Sequence, residues 1–135
     1  MTGADRGDVT VLVVDDNPTN LKLVSTVLRS DGFQVRTAVD GTSALLAVRE
    51  HRPALVFTDI HLPDIDGLEL TRIIKGDPET EDTIVVALTA SVMASDESRA
   101  RAAGCDGFII KPLDTRTLGA TTEEYLRRHD PVGGM

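Results

Sequence analysis

The segment Leu55-Val56-Phe57-Thr58-Asp59 constrains the fold more than any other stretch of the chain. It is an apolar run rich in aromatic and β-branched residues, too short for a helix, and the turn-rich Ile60-His61-Leu62-Pro63-Asp64-Ile65-Asp66-Gly67 stops it. Such a run reads as a strand buried on both faces, the mark of a parallel sheet. Parallel neighbours need helical crossovers, so the flanking sequence must alternate helices with further strands. The last residue of the run is a carboxylate. In an open α/β sheet, ligands collect in the crevice beyond the carboxyl ends of the strands, which is where Asp59 falls.

The rest of the chain supplies that alternation. Val9 to Val14 is a first strand, ending in Asp15-Asp16-Asn17-Pro18, with Asn17 placed to cap a helix and Pro18 at its first position. The helix is expected from Pro18 to about Asp31, with Leu23, Val24, Val27 and Leu28 facing the sheet and Leu21 near the rim. Phe33 to Ala38 alternates apolar and polar residues, as an edge strand with one wetter face does. Asp40-Gly41-Thr42 starts a second helix with Ala44, Leu45 and Val48 inward, and Pro53 ends it. A third helix runs from about Leu68 to Lys75 with Leu70, Ile73 and Ile74 inward. Thr83 to Thr89 is too uniformly apolar to have a solvated face, so it is an interior strand. Ser95 caps a fourth, alanine-rich helix to about Ala103, which buries little area. Gly107 to Lys111 is the fifth strand, and Asp114 or Thr115 opens a last helix to about Arg128. Gly119 lies inside that helix at a cost of roughly 1 kcal/mol relative to alanine. Five strands and five helices in this order give a three-layer α/β/α sandwich.

Bulk properties narrow the function. At 135 residues the chain is expected to be one domain, spanning 9–130, with disordered tails at 1–8 and 131–135. Lys and Arg number 14 against 22 Asp and Glu, a net charge of -8 that would repel phosphate backbones and argues against direct nucleic-acid binding. No apolar stretch approaches the length of a membrane span, and Met1 to Asp8 lacks an apolar signal-peptide core, so a cytoplasmic location is expected. The single Cys105 cannot form an internal disulfide and reads as a small buried residue.

The residues that carry chemistry share one edge of the sheet. Asp15 and Asp16 end the first strand, Asp59 the third, Thr89 the fourth and Lys111 the fifth. Two like charges about 4 Å apart repel by roughly 4 kcal/mol at an effective dielectric near 20, so three clustered carboxylates call for a cation. An all-oxygen set suits Mg²⁺.

Four motifs occur in order: Val13-Val14-Asp15-Asp16-Asn17, the Asp59 strand with Leu62-Pro63-Asp64-Ile65-Asp66-Gly67, Leu88-Thr89-Ala90, and Phe108-Ile109-Ile110-Lys111-Pro112. On these the chain resembles the receiver domain of bacterial two-component response regulators, in a single-domain form without an output domain, over essentially its whole folded length. The resemblance implies the flavodoxin-like (βα)5 fold with parallel strand order 2-1-3-4-5. It implies that Asp59 accepts a phosphoryl group from a phosphohistidine of a sensor histidine kinase or a histidine phosphotransfer protein and later loses it by hydrolysis. It implies that Asp16 and Asp59 ligate Mg²⁺ directly, that His61 contributes its backbone carbonyl, and that Asp15 acts through water. Lys111 neutralises charge on the phosphoryl oxygens, and Thr89 moves to hydrogen-bond one of them. Phe108 matches the family's aromatic switch, with ordinary core packing as the equal alternative. His61 and Ser91 stand two residues beyond Asp59 and Thr89, where the family tunes access of the hydrolytic water, and the Lys111-Pro112 peptide is usually cis in the family.

The output is then contact with a downstream protein target or a further phosphorelay step, and the sequence does not choose between them. Leu21 is a candidate for kinase docking. Other readings stand against this one. An aspartyl-phosphate phosphatase needs a second carboxylate two residues after the nucleophile, where this chain has His61. An FMN-binding domain needs a Ser/Thr/Gly phosphate cradle in the first βα loop, which is absent. A pseudo-receiver that binds partners without phosphorylation would have no use for the complete acidic set and Lys111.

Overall fold

Patterning alone sorts the strands into interior and edge, and a computed structural model of the chain, which describes residues 6–90, 94–111 and 113–128, bears out that sorting. Strands β1 (Thr10–Val14), β2 (Gln34–Ala38), β3 (Leu55–Asp59), β4 (Ile84–Thr89) and β5 (Gly107–Ile110) alternate with helices α1 (Pro18–Ser30), α2 (Gly41–His51), α3 (Gly67–Gly76), α4 (Ala94–Ala103) and α5 (Leu118–Arg128). All strand pairs are parallel, and the order is β2-β1-β3-β4-β5. This is the flavodoxin-like (βα)5 sandwich. β3 lies at the centre, and every residue of β4 is buried. β2 is an edge strand in which Gln34, Arg36 and Thr37 are exposed while Val35 and Ala38 are buried.

Side chains alternate between the two faces of the sheet, so two cores form. Leu12, Val14, Val56, Val85 and Ala87 pack with Ala44 and Val48 of α2, Leu68, Leu70 and Ile74 of α3, and Ala100 and Ala103 of α4. On the other face, Val11, Val13, Leu55, Phe57, Val86 and Leu88 pack with Val24 and Leu28 of α1 and Leu118 and Tyr125 of α5. Each fully buried large side chain here contributes about 1.5–3 kcal/mol relative to an exposed one. Among the described residues no helix is long and apolar enough to cross a membrane.

Several local expectations shift. Leu23 is 49% exposed, and Ser25 is buried in its place, its hydroxyl donating to the Lys22 carbonyl at 3.1 Å. At about 100° per residue, Leu23 points well away from the direction shared by Val24, Leu28 and Leu21. α4 already begins at Ala94, so Ser95 lies inside its first turn rather than capping it, while 91–93 fall outside the described residues. α5 opens at Leu118, not at Asp114 or Thr115. The Asp114 carboxylate accepts from the Arg116 N–H at 3.0 Å and its carbonyl accepts from the Thr117 N–H at 3.2 Å, which closes a separate turn ahead of the helix. Gly119 is helical, and a Cβ there would stand 2.4 Å from an Asp31 carboxylate oxygen, so α5 approaches the end of α1 closely.

Arg6–Asp8 forms a 3₁₀ turn where the sequence suggests a disordered tail reaching Asp8. Arg6 pairs with Glu123 at 2.9 Å, donates to the Asp31 carbonyl at 2.9 Å and lies over the Phe33 ring. The expected tail at 131–135, Ser91 and Pro112 lie outside the described residues.

Candidate functional site

The strand register brings the polar strand ends together. Val14 pairs with Thr58 and Asp59 with Leu88, so Asp15, one residue past β1, stands level with Asp59 at the end of β3. Thr89 pairs with Ile110, which places Lys111 just past β5 on the same edge. Lys111 is anchored there by its own N–H, which donates to the Thr89 carbonyl at 2.7 Å. Its ammonium reaches back across β4 to donate to Asp59 Oδ2 at 2.9 Å and Asp15 Oδ2 at 3.2 Å.

Asp15 is only 2% exposed, so its charge needs partners. Besides Lys111, it accepts from the Asn17 N–H at 2.9 Å, while Asn17 caps α1 by accepting from Thr19 and Asn20. Asp59 also accepts from the His61 N–H at 3.2 Å. Asp16 is exposed at the mouth. Burial alone would lower the Lys111 pKa, but the hydrogen bond from Lys111 to Asp59 and the charges of Asp59 and Asp15 outweigh it and raise the value. The lysine is held as an ammonium.

Asp15, Asp16 and Asp59 each offer a carboxylate oxygen, and these lie within 4.8 Å of one another. Two ligands of one Mg²⁺, each at about 2.1 Å, lie at most about 4 Å apart, so the three carboxylates suit a hard cation after a small closure. The acidic set outnumbers its one ammonium. A divalent ion would offset the excess, and the absence of thiolate and imidazole donors from the set agrees with an oxygen-loving metal.

The loop that follows β3 is held at both ends. The Gly67 N–H donates to the Ile60 carbonyl at 2.7 Å, and Asp66 caps α3 by accepting from the Leu68 N–H at 2.7 Å. A Cβ at residue 67 would lie 2.2 Å from the Asp59 carbonyl oxygen, so only glycine fits under the strand end. Sequence reading placed Asp64 in this loop only as part of a motif. In the fold its carboxylate reaches α2, and the hydrogen bonds from the Thr42 hydroxyl and the Gly41 N–H hold its pKa well below the usual carboxylate range against the opposing effect of burial. No signal in the sequence announces that contact, which joins residues 22 and 23 positions apart.

Thr89 is buried at the edge of the pocket, and Phe108 is half-buried against the α2–α3–α4 core. Leu21 is half-buried and packs on the other core, whereas Leu23 is the exposed leucine of α1. Cys105 is buried, its sulfur 3.6 Å from the Thr71 hydroxyl.

Comparison with known proteins agrees with this arrangement. Residues 11–123 match the family model of the response regulator receiver domain. The chain is 39% identical over 116 residues to the polar-differentiation response regulator DivK of Brucella anthropi, covering 86% of this chain and 94% of that protein. It resembles the solved chemotaxis response regulator CheY4 of Vibrio cholerae with a TM-score of 0.82 at 27% identity, over 87% of this chain and 98% of the other. A response regulator structure from Chloroflexus aurantiacus gives a TM-score of 0.83 at 30% identity, over 87% and 97%. With the family match spanning most of the chain and the acidic edge assembled as its motifs imply, this protein belongs to the response regulator receiver domain family.

Proposed function

We propose that the receiver unit, taken as residues 9–130, is a phosphorylation-activated switch in which Asp59 accepts a phosphoryl group from a phosphohistidine of a sensor histidine kinase or histidine phosphotransfer protein. The observation that carries this reading is the Lys111 ammonium bonded to Asp59 at 2.9 Å and Asp15 at 3.2 Å, beside three carboxylates whose oxygens cluster within 4.8 Å. A carboxylate can serve as a covalent nucleophile, and phosphoryl transfer asks chiefly for in-line positioning and neutralised charge. An Asp59 oxygen attacks phosphorus, the P–N bond breaks as the P–O bond forms, and the imidazole leaves with the bonding pair and takes up a proton. Hydrolysis reverses the modification: water attacks phosphorus, the P–O bond to Asp59 breaks, and orthophosphate and the free carboxylate result.

Mg²⁺, held directly by Asp16, Asp59 and the His61 backbone carbonyl with Asp15 acting through water, would neutralise charge on the transferring oxygens. Lys111 supplies a second positive centre for the same oxygens. Asp15 keeps that ammonium aimed into the pocket. The phosphoryl group carries nearly two negative charges and three acceptor oxygens, so it favours the conformer in which the Thr89 hydroxyl and Lys111 are drawn onto it. Phe108, half-buried on β5 next to β4, would fill the space that Thr89 vacates. The resulting change on the α4–β5–α5 side is read by a downstream protein target or passed on in a phosphorelay, in the cytoplasm.

Incubation with Mg²⁺ and a small-molecule acyl phosphate donor is expected to raise the intact mass by one phosphoryl group. Asp59→Asn abolishes the gain. Persistence of the adduct in that variant moves the acceptor elsewhere, and a wild-type chain that takes up no phosphoryl group favours the pseudo-receiver reading.

A further inference from the structure

We propose that Asp64 is a positioning residue for the cation site: it ties the β3–α3 loop to the first turn of α2 and so fixes the backbone around His61. The proposal rests on the functional reading above and adds a residue to it.

The Asp64 carboxylate has all of its acceptor positions engaged. Oδ1 accepts from the Gly41 N–H at 2.8 Å and from its neighbour Ile65 N–H at 2.8 Å, while Oδ2 accepts from the Thr42 N–H at 2.9 Å and the Thr42 hydroxyl at 2.7 Å. A carboxylate offers about four such sites, so none is spare. On the other side of this contact, the first turn of α2 contains no acidic residue of its own. Its N–H groups cannot be satisfied within the helix. Asp40 caps only the Ser43 N–H, at 2.8 Å, and Asp64 takes Gly41 and Thr42. The charge also lies at the positive end of the α2 dipole.

The close approach is built into the sequence of both partners. A Cβ on residue 41 would stand 2.2 Å from Ile65 Cγ1, so glycine there lets the loop lie on the helix. His61 is thus bracketed between two straps, the Gly67-to-Ile60 backbone bond on the β3 side and Asp64 on the α2 side. Removing Asp64 would take away the tie to α2 and leave the segment from His61 to Ile65 held by the first strap, by the His61 N–H bond to Asp59 and by the packing of Leu62 and Ile65 on the core. Asp64 is itself exposed, so it buries little area, and α2 keeps its Asp40 cap without it. Its main effect is therefore on loop placement rather than on folding, and outer groups that orient metal ligands commonly alter metal affinity by tenfold or more.

The test uses the full chain with Asp64→Ala and Asp64→Asn. Mg²⁺ affinity is measured by titration calorimetry without a phosphodonor, and the half-saturating Mg²⁺ concentration is measured during acyl phosphate labelling. Asp64→Ala is expected to weaken Mg²⁺ binding about tenfold and to shift the half-saturating concentration equally, with the labelling rate recovering at saturating Mg²⁺. Asp64→Asn keeps one acceptor oxygen and falls between. Faster amide exchange across 61–65 accompanies the loss. A lowered unfolding midpoint with unchanged Mg²⁺ affinity means a purely structural role and overturns the proposal. Should Asp64→Ala fail to fold, Thr42→Ala removes one of the four donors, with a shift of about threefold expected and no shift overturning the idea. Failure of the functional reading shows separately, as a wild-type chain that binds Mg²⁺ without being labelled. A wild-type chain that binds no Mg²⁺ overturns both.

Discussion

Two lysine–carboxylate pairs sit at opposite ends of the sheet and look alike in isolation. Lys75 contacts Asp106 at 2.7 Å beyond the amino ends of β4 and β5, and Lys111 contacts Asp59 at 2.9 Å at the carboxyl ends. Their side chains are similarly shielded, at 22% and 18% exposed for the first pair and 20% and 14% for the second. They differ in their surroundings. The Lys75 ammonium also donates to the Thr83 carbonyl at 2.7 Å, and Asp106 also accepts from the Val85 N–H at 2.9 Å, so this cation is matched to an anion and both are tied to backbone groups at the strand starts. Lys111 faces Asp59 and Asp15 with Asp16 close by, and negative charge is left over. An ion pair as such therefore says little about function, whereas an unbalanced one, kept shielded by rigid strand ends, asks for a ligand.

The contrast predicts effects of opposite sign. Asp106→Ala leaves the Lys75 ammonium shielded and unpaired, and should destabilise the fold by about 2–3 kcal/mol in urea denaturation, less than a fully buried pair because both groups are partly solvated. Mg²⁺-dependent labelling of the folded fraction should be unaffected. A loss below 0.5 kcal/mol would make the two pairs alike after all.

At the other end, removing a carboxylate relieves repulsion. Asp16→Asn is expected to stabilise the metal-free protein by about 0.5–1 kcal/mol at low ionic strength. If Mg²⁺ binds as proposed, it should raise the melting temperature of the wild type, the same substitution should cancel that rise, and chelation should return the wild type to its metal-free midpoint. Destabilisation by Asp16→Asn in the absence of metal would contradict an excess of negative charge at this edge.

The smallest effect concerns pH. The Lys111 pKa is raised above its ordinary 10.5 by Asp59 and Asp15 in spite of burial. A raised lysine contributes stability that is fully present below the ordinary value and disappears as pH climbs through the raised one. The stability difference between wild type and Lys111→Met should thus be flat from neutral pH to about 10 and shrink only above the ordinary lysine range. A difference that already falls between pH 7 and 9 would mean the ammonium is not held as the geometry implies.

What could be read from the chain beforehand follows the range of each interaction. Strand runs such as Leu55–Asp59 and Ile84–Thr89 declare themselves because both faces are buried and every residue is constrained. The grouping of Asp15, Asp59, Thr89 and Lys111 at one edge was legible because each is a polar residue at or just past the end of a strand. Asn17 was legible as a cap, since a cap acts within three residues, and Asp40-Gly41-Thr42 as a helix start. Leu23 was misplaced because apolar character alone does not fix a direction around a helix, and the start of α5 was misplaced because an Asp can cap a helix or close a separate turn. Arg6 and Asp64 were invisible in their roles, since each acts on partners made neighbours only by the fold, Glu123 for one and Gly41 for the other.

Gly67 has a consequence for how such a centre can fail. Its missing side chain is the clearance beneath the Asp59 carbonyl, where an added carbon would stand at 2.2 Å. A single methyl group would alter no charge, titrate nothing and leave every proposed ligand in the sequence, yet it would push the backbone of the proposed acceptor out of line. The tolerance of this proposed centre depends on one empty volume under a peptide group, and a defect there would mimic the loss of a proposed site residue while leaving all of them in place.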